Sequence, residues 1–407
     1  MHVVFVEPCF PGNQKEFVRG LIQAGARVTA VGERSKEALD DDLRRWLLHY
    51  EQVPTVVDVD TLAGAVAWIR DRMPVDRLEA TVEAHVLPAA EARERLGIPG
   101  TSVRTAFLCR DKPAMKEALR EGGVPCAASL GSGDAEEILA FARDTGYPLV
   151  VKPRSAAGAS GTERVESDEE LRAALQRAGV GGGAHVAVEE FIEGHEAFYD
   201  TITIAGRVAH EFVTHYYPNV LEAMRTRWIS PQFITTNRIE SAGGYQPVLE
   251  MGRKVNQLLG IDTTATHMEW FIGSKGLRFS EIGCRPPGVR AWDLYAAANE
   301  IDIYHEWAMA VCHGRTVKKA TRRFSAGIIA LRPDRDGVIR GYEGIDEIQR
   351  RFGEWVLDAH LPPAGTPTQP VEAGYMANAW VRMKHADYDH LRHMLDTVGE
   401  VVQVRAG

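Results

Sequence analysis

Glu269 and Glu281 stand in two short apolar runs joined by Gly-Ser-Lys-Gly (273–276), and Arg285 follows in Cys-Arg-Pro-Pro-Gly (284–288). The pattern predicts two adjacent β-strands and a tight turn, with one carboxylate on each strand. Two inward carboxylates on paired strands offer Mg²⁺ hard oxygen ligands. A nearby arginine clamps phosphate oxygens in a fork that lysine cannot match. Upstream, in order, come Lys112, then Lys152 with a small-residue loop, then an acid-rich run from Glu189 to Glu196. Read together, these residues suit an ATP site.

Lys152 ends an apolar run, Leu-Val-Val (149–151), and residues 155–162 are mostly glycine, alanine, serine and threonine. Glycines there let backbone N–H groups approach phosphate oxygens, and Ser160 adds a hydroxyl donor. The Gly-Lys-Ser/Thr ending of a Walker A loop is absent. In Val-Glu-Glu-Phe-Ile-Glu-Gly-His-Glu (188–196), a strand ending in acids is by itself a solvated edge. As part of a nucleotide site, the backbone at 190–192 would pair with an adenine edge, and Glu196 would accept from ribose hydroxyls.

These residues need elements to hold them, and three segments are expected. Residues 1–105 read as a βαβ domain: Val3–Val6 a strand, Glu16–Ala24 a helix, Arg27–Val31 a strand, hence a parallel sheet. The loop Pro-Gly-Asn (11–13) sits where such sheets bind ligands, and it is not a dinucleotide fingerprint. Residues 106–315 carry the nucleotide and metal site. There, Asp111–Gly122 reads as a helix with Pro113 in its first turn, and Asp134–Arg143 as a helix capped by Asp134. Val186–Phe191 and Tyr199–Ile204 read as strands. Residues 316–407 read as a small α+β domain of three strands and two helices, with a Pro-rich loop at 361–370.

Composition limits the partners. At 407 residues the chain exceeds a single core. Hydrophobic residues make up 45% and charged residues 25%, values of a soluble globular protein. A net charge of −9 argues against a nucleic acid or an anionic membrane, and no apolar run is long enough to span one. Five scattered cysteines suit reduced thiols in a cytoplasm.

Four motifs in this order resemble the ATP-grasp superfamily: Asp-Lys-Pro-Ala-Met-Lys…Gly-Val-Pro (111–125), Tyr-Pro-Leu-Val-Val-Lys-Pro…Gly-Ala-Ser-Gly-Thr (147–162), residues 188–196, and Glu269 through Gly288. The resemblance covers 106–315. The N-terminal region is similar to that superfamily's pre-ATP-grasp domain, and the C-terminal region to the small domain of biotin carboxylase and of bacterial L-amino acid ligases. It implies that Lys112 and Lys152 contact ATP phosphates and that Ala159, Ser160 and Gly161 fold over them as a lid. It also implies that Glu189, Glu190 and the Phe191–Ile192 backbone hold adenine, and Glu196 the ribose. Glu269 and Glu281 would ligate Mg²⁺, with Mn²⁺ as a substitute, and Arg285 would sit beside the γ-phosphate and the acyl substrate. Many relatives carry Asn two residues after the second glutamate. This chain has Gly283, which puts a second metal ion in doubt.

The segment His210–Arg238 is rich in aromatic and basic residues and is expected over the mouth of the site, where it suits a carboxylate-bearing substrate. Tyr216, Trp228, His267 and Arg290 are the substrate candidates. The resemblance implies a ligase that activates a carboxylate as an acyl phosphate and joins it to an amine, with amino-acid-like substrates. A homodimer is compatible with it. The alternatives are a carboxylating enzyme using carboxyphosphate and a non-catalytic ATP-binding relative.

Overall fold

The computed structural model describes residues 1–154, 161–371, 375–376 and 378–407. A four-stranded parallel sheet opens the chain, in the order Leu47–Gln52, Arg27–Gly32, His2–Val6, Arg77–Glu79. His2–Val6 is wholly buried, as an inner strand covered on both faces must be. The helix Gln14–Gln23 packs this layer onto the rest of the molecule. Its Phe17 ring lies about 5 Å, centroid to centroid, from Trp292, Tyr304 and Trp307. A long helix, Glu83–Leu96, starts just after the fourth strand.

The dominant layer is an eight-stranded antiparallel sheet. Its order is Gly276–Gly283, Thr264–Gly273, His195–Ile204, Arg207–Tyr217, Gln232–Thr235, Ser325–Leu331, Ala379–His385, Val356–His360. The last three strands come from the C-terminal quarter of the chain and continue the sheet begun by the two glutamate strands. A second antiparallel sheet, Ser129–Ser132, Val186–Glu190, Leu149–Pro153, Glu163–Val165, stands apart from it. Residues 339–343 and 403–406 form a small two-stranded ribbon.

One expectation is corrected. His210 to Arg238 lies over the site only in part: Tyr216, Asn219 to Glu222, Met224 and Arg225 line its cavity, and the rest does not. Residues 207–217 form an inner strand of the large sheet, a single helical turn follows at Val220–Ala223, and the chain re-enters the sheet at Gln232. Residues 212–216 are buried without a break, Thr214 and His215 included, as suits an inner strand covered on both faces.

Candidate functional site

A cavity of about 800 Å³ lies between the second sheet and the edge of the large one. The helix Lys112–Glu121 closes one side. Asp111 caps it by accepting from the Ala114 amide (3.0 Å) and grips the Arg154 guanidinium through both oxygens (3.0 Å each). Lys112 and Lys116, four residues apart, therefore project from one helix face into the cavity wall. Lys152 arrives from the strand Leu149–Pro153. Glu189 arrives from the antiparallel neighbour, where it pairs with Val150.

These groups form a buried charge cluster. Glu189 Oε2 lies 2.6 Å from Lys116 Nζ and 2.7 Å from Lys152 Nζ. Burial alone would raise the Glu189 pKa, but the two ammonium groups outweigh it and hold the carboxylate at about 2. Burial, opposed by Glu189, brings Lys116 down to about 8. Burial also works against a charged Lys152, yet Glu189 and Glu281 keep its pKa raised. Glu189 Oε1 is buried without a hydrogen bond among the described residues, a vacancy that an amino donor would fill.

Across the cavity, Glu269 and Glu281 are direct cross-strand partners, as their spacing predicted, with a bulge after Glu269. Lys112 Nζ stands 3.3 Å and Lys152 Nζ 3.9 Å from Glu281 Oε2. Among the described residues no cluster of three or more His, Cys, Asp or Glu side chains forms a metal cage. Two facing carboxylates are nonetheless what Mg²⁺ uses when phosphate oxygens and water complete its shell, so the donor set fits that ion.

His267, on the Glu269 strand, joins Asp200 Oδ1 through Nδ1 (2.7 Å) and faces Glu269 Oε1 at 3.6 Å through Nε2. Burial would lower its pKa, but Asp200 and Glu269 raise it to about 9. The Tyr295 hydroxyl holds the other Asp200 oxygen. Glu196 is buried and accepts from the Val220 amide (2.7 Å). Burial and then the nearby Glu269 charge push its pKa up to about 8. Tyr216 lines the cavity, with Phe198 and Tyr375 rings 4.9 and 5.5 Å away.

The 190–192 backbone is less available than expected. The Glu190 and Phe191 amides already donate to Ala128 O (2.9 Å) and Pro148 O (3.1 Å), leaving Ile192 as the one of the three amides without a partner among the described residues. The Glu190 carboxylate turns to the Ala128 amide (3.2 Å) and to Lys275. Phe191 carries the Arg164 guanidinium over its ring at 4.3 Å. Ala159 and Ser160 lie outside the described residues. Gly161 adopts φ +66°, in the left-handed region that glycine favours.

Two substrate candidates are corrected. Trp228 is 88% exposed and is not part of the cavity wall, because it falls in the turn between Ala223 and Gln232. Arg290 is also outside the wall. It pairs with Asp293 at 2.6 Å and lies over the Trp380 ring at 5.6 Å. Two residues with clear roles in the geometry were not singled out from the sequence. Lys116 was marked only by its spacing from Lys112. Glu83, from the N-terminal part of the chain, had no local signal, and its Oε2 meets Arg285 Nε at 2.8 Å.

Residues 111–198 match the family described as carbamoyl-phosphate synthase L chain, ATP binding domain. The chain is 25% identical over 323 residues to the L-arginine-specific L-amino acid ligase of Bacillus subtilis, covering 78% of this chain and 76% of that one. An L-amino acid ligase from Bacillus licheniformis superposes with a TM-score of 0.78 at 16% identity, covering 100% of this chain and 98% of the other. The biotin carboxylase domain of Hydrogenobacter thermophilus 2-oxoglutarate carboxylase, solved with MgADP, ADP and bicarbonate, superposes at 0.68 and 18% identity, covering 99% and 90%. At those identities the two superpositions establish the fold.

Proposed function

We propose that this chain, a member of the ATP-grasp superfamily, is an ATP- and Mg²⁺-dependent ligase that joins a carboxylate to an amine on amino-acid-like substrates. The observation that carries the reading is the convergence of lysines from two elements on a facing pair of strand carboxylates in one cavity.

Lys112 and Lys152 are assigned to the nucleotide phosphates. The orphaned Glu189 Oε1 and the Ile192 amide are assigned to the adenine edge, and Glu196 to the ribose. Glu269 and Glu281 would hold Mg²⁺, with Mn²⁺ as a substitute, and the bound ion would neutralise phosphate charge. Arg285 and His267 face the acyl end, beside an apolar wall of Phe198, Tyr216 and Tyr375. A carboxylate is a poor electrophile because its oxygen leaves badly. Transfer of the γ-phosphoryl group turns that oxygen into a leaving group, and an amine then displaces phosphate. Phosphoryl transfer needs positioning and charge neutralisation more than a protein nucleophile. The lysines and Arg285 supply both from fixed elements. The five free thiols fit a reducing, cytoplasmic setting, and a homodimer is the assembly to test by sedimentation.

The experiment is ³¹P NMR of ATP and Mg²⁺ with pooled amino acids and small carboxylic acids, against bicarbonate alone. ADP and phosphate appearing only with an acid and an amine support the ligase. ADP with bicarbonate alone supports a carboxylating enzyme, and AMP with pyrophosphate overturns the acyl-phosphate route. Glu281→Gln is expected to cut turnover by about 10²-fold or more with a native melting curve. Full activity in that variant would remove the metal assignment.

A further inference from the structure

Arg285 is held by a residue distant in sequence. Its Nε donates to Glu83 Oε2 at 2.8 Å and its Nη1 to the Pro286 carbonyl at 2.9 Å. Nη2 is left without a hydrogen bond among the described residues, while the side chain lines the cavity. Glu83 is the first residue of the helix Glu83–Leu96, and Arg110 Nη1 ties down its own carbonyl at 2.9 Å. The carboxylate therefore reaches the site from a fixed helix end in the N-terminal part of the molecule.

Position 283 reports on the same contact. A Cβ added at Gly283 would lie 2.9 Å from Glu83 Oε2 and 3.4 Å from Arg285 Cγ and Nε. The carboxylate fills the space a side chain at 283 would need. Gly283 has no positive φ to account for glycine there.

We propose that Glu83 is a positioning residue for Arg285, fixing the guanidinium through Nε so that Nη2 faces the transferring phosphoryl group, and that Gly283 is a glycine because Glu83 occupies its side-chain space. The inference rests on the nucleotide reading of the cavity. A neutral acceptor at position 83 keeps the Nε hydrogen bond, whereas removal frees the arginine's last rotatable bonds. Fixing a guanidinium before the reaction avoids paying its ordering entropy at the transition state.

The test is a double-mutant cycle on Glu83→Ala and Gly283→Ala. Two quantities are read: turnover, and the affinity for a non-hydrolysable ATP analogue relative to ADP, both with Mg²⁺. Glu83→Ala is expected to lower turnover by about 10- to 100-fold, the usual cost of losing a partner that orients a functional group. It should weaken the analogue while leaving ADP affinity and the melting curve near native. Glu83→Gln should restore most of the loss. Gly283→Ala should reproduce the defect in the native background and add nothing when Glu83 is already alanine. Equal penalties for Gly283→Ala in both backgrounds, or equal weakening of ADP and analogue by Glu83→Ala, would overturn the proposal. The nucleotide readout needs no acid or amine, so a failed ligase assay leaves this test intact.

Discussion

Single residues in the cavity owe their protonation to neighbours that the sequence does not place. Glu189 and Glu196 sit on adjoining stretches of chain, yet one is held near pKa 2 and the other near 8. The first has two ammonium groups on one oxygen. The second has burial and the Glu269 and Glu281 charges, which the Val220 amide and Lys152 only partly offset. An unfolded glutamate titrates near 4.3. Between about 4.3 and 8 the folded protein holds a proton on Glu196 that the unfolded chain has released, so this residue makes stability fall as pH rises through that window. Glu196→Gln keeps an acceptor for the Val220 amide and removes the titration. Without nucleotide, the variant should match the native protein near pH 4 and exceed it by about 4 kcal/mol near pH 8, at about 1.4 kcal/mol per pH unit. Thermal melts across that range read the difference, and parallel curves would mean that Glu196 is ionised throughout. Glu269, Glu281, Lys112 and Lys152 were legible because residue type and spacing carry their chemistry. Lys116 was visible only as a fourth-residue neighbour of Lys112, and Trp228 misled because composition cannot tell a wall from an exposed turn.

At the scale of elements, local signals were read well where the determining contacts are local. Asp134 caps the helix expected of it, the helix expected from Asp111 starts one residue on with Asp111 as its cap, and Gly-Ser-Lys-Gly makes the turn that sets Glu269 opposite Glu281. The turn also does something the sequence does not announce. A Cβ at Gly273 would lie 2.1 Å from the Glu193 carbonyl, and one at Gly194 would lie 2.5 Å from the Ile272 carbonyl. Two backbones touch there, and Lys275 of the turn binds Glu190. The hairpin that carries Glu269 and Glu281 thus also sets the position of residues 190–196. Gly273→Ala must push the two segments apart. An ångström of displacement at a binding wall can cost two orders of magnitude in a reaction, so a loss of about tenfold or more in MgADP affinity is expected, with Glu269 and Glu281 intact. Calorimetric titration measures it. Native affinity would show that residues 190–193 do not contact the nucleotide.

At the scale of the whole molecule, strand pairing was the least legible feature. Three strands were expected within residues 316–407, but nothing local says that those found at 325–331 and 379–385 extend the sheet holding the two glutamates. Pairing between strands far apart in sequence is decided by which buried faces meet. The same holds for the parallel layer, which is more than an appendage: its helix Glu83–Leu96 delivers Glu83 to Arg285. That delivery depends on how closely the layer sits, and Gly20 sets the approach. A Cβ there would come within 2.5 Å of the Tyr304 carbonyl, where helix Gln14–Gln23 crosses Ile303–His313. Gly20→Leu therefore forces a backbone separation that no rotamer relieves, at about 1–3 kcal/mol. Lys112, Lys152, Glu189 and Glu281 lie on elements outside the parallel layer, so MgADP affinity should stay near native while turnover falls, as the Arg285 clamp loosens. Denaturant titration reads the first quantity and steady-state rates the second. A destabilised variant with undiminished turnover would show that the parallel layer supports the fold without contributing to the chemistry.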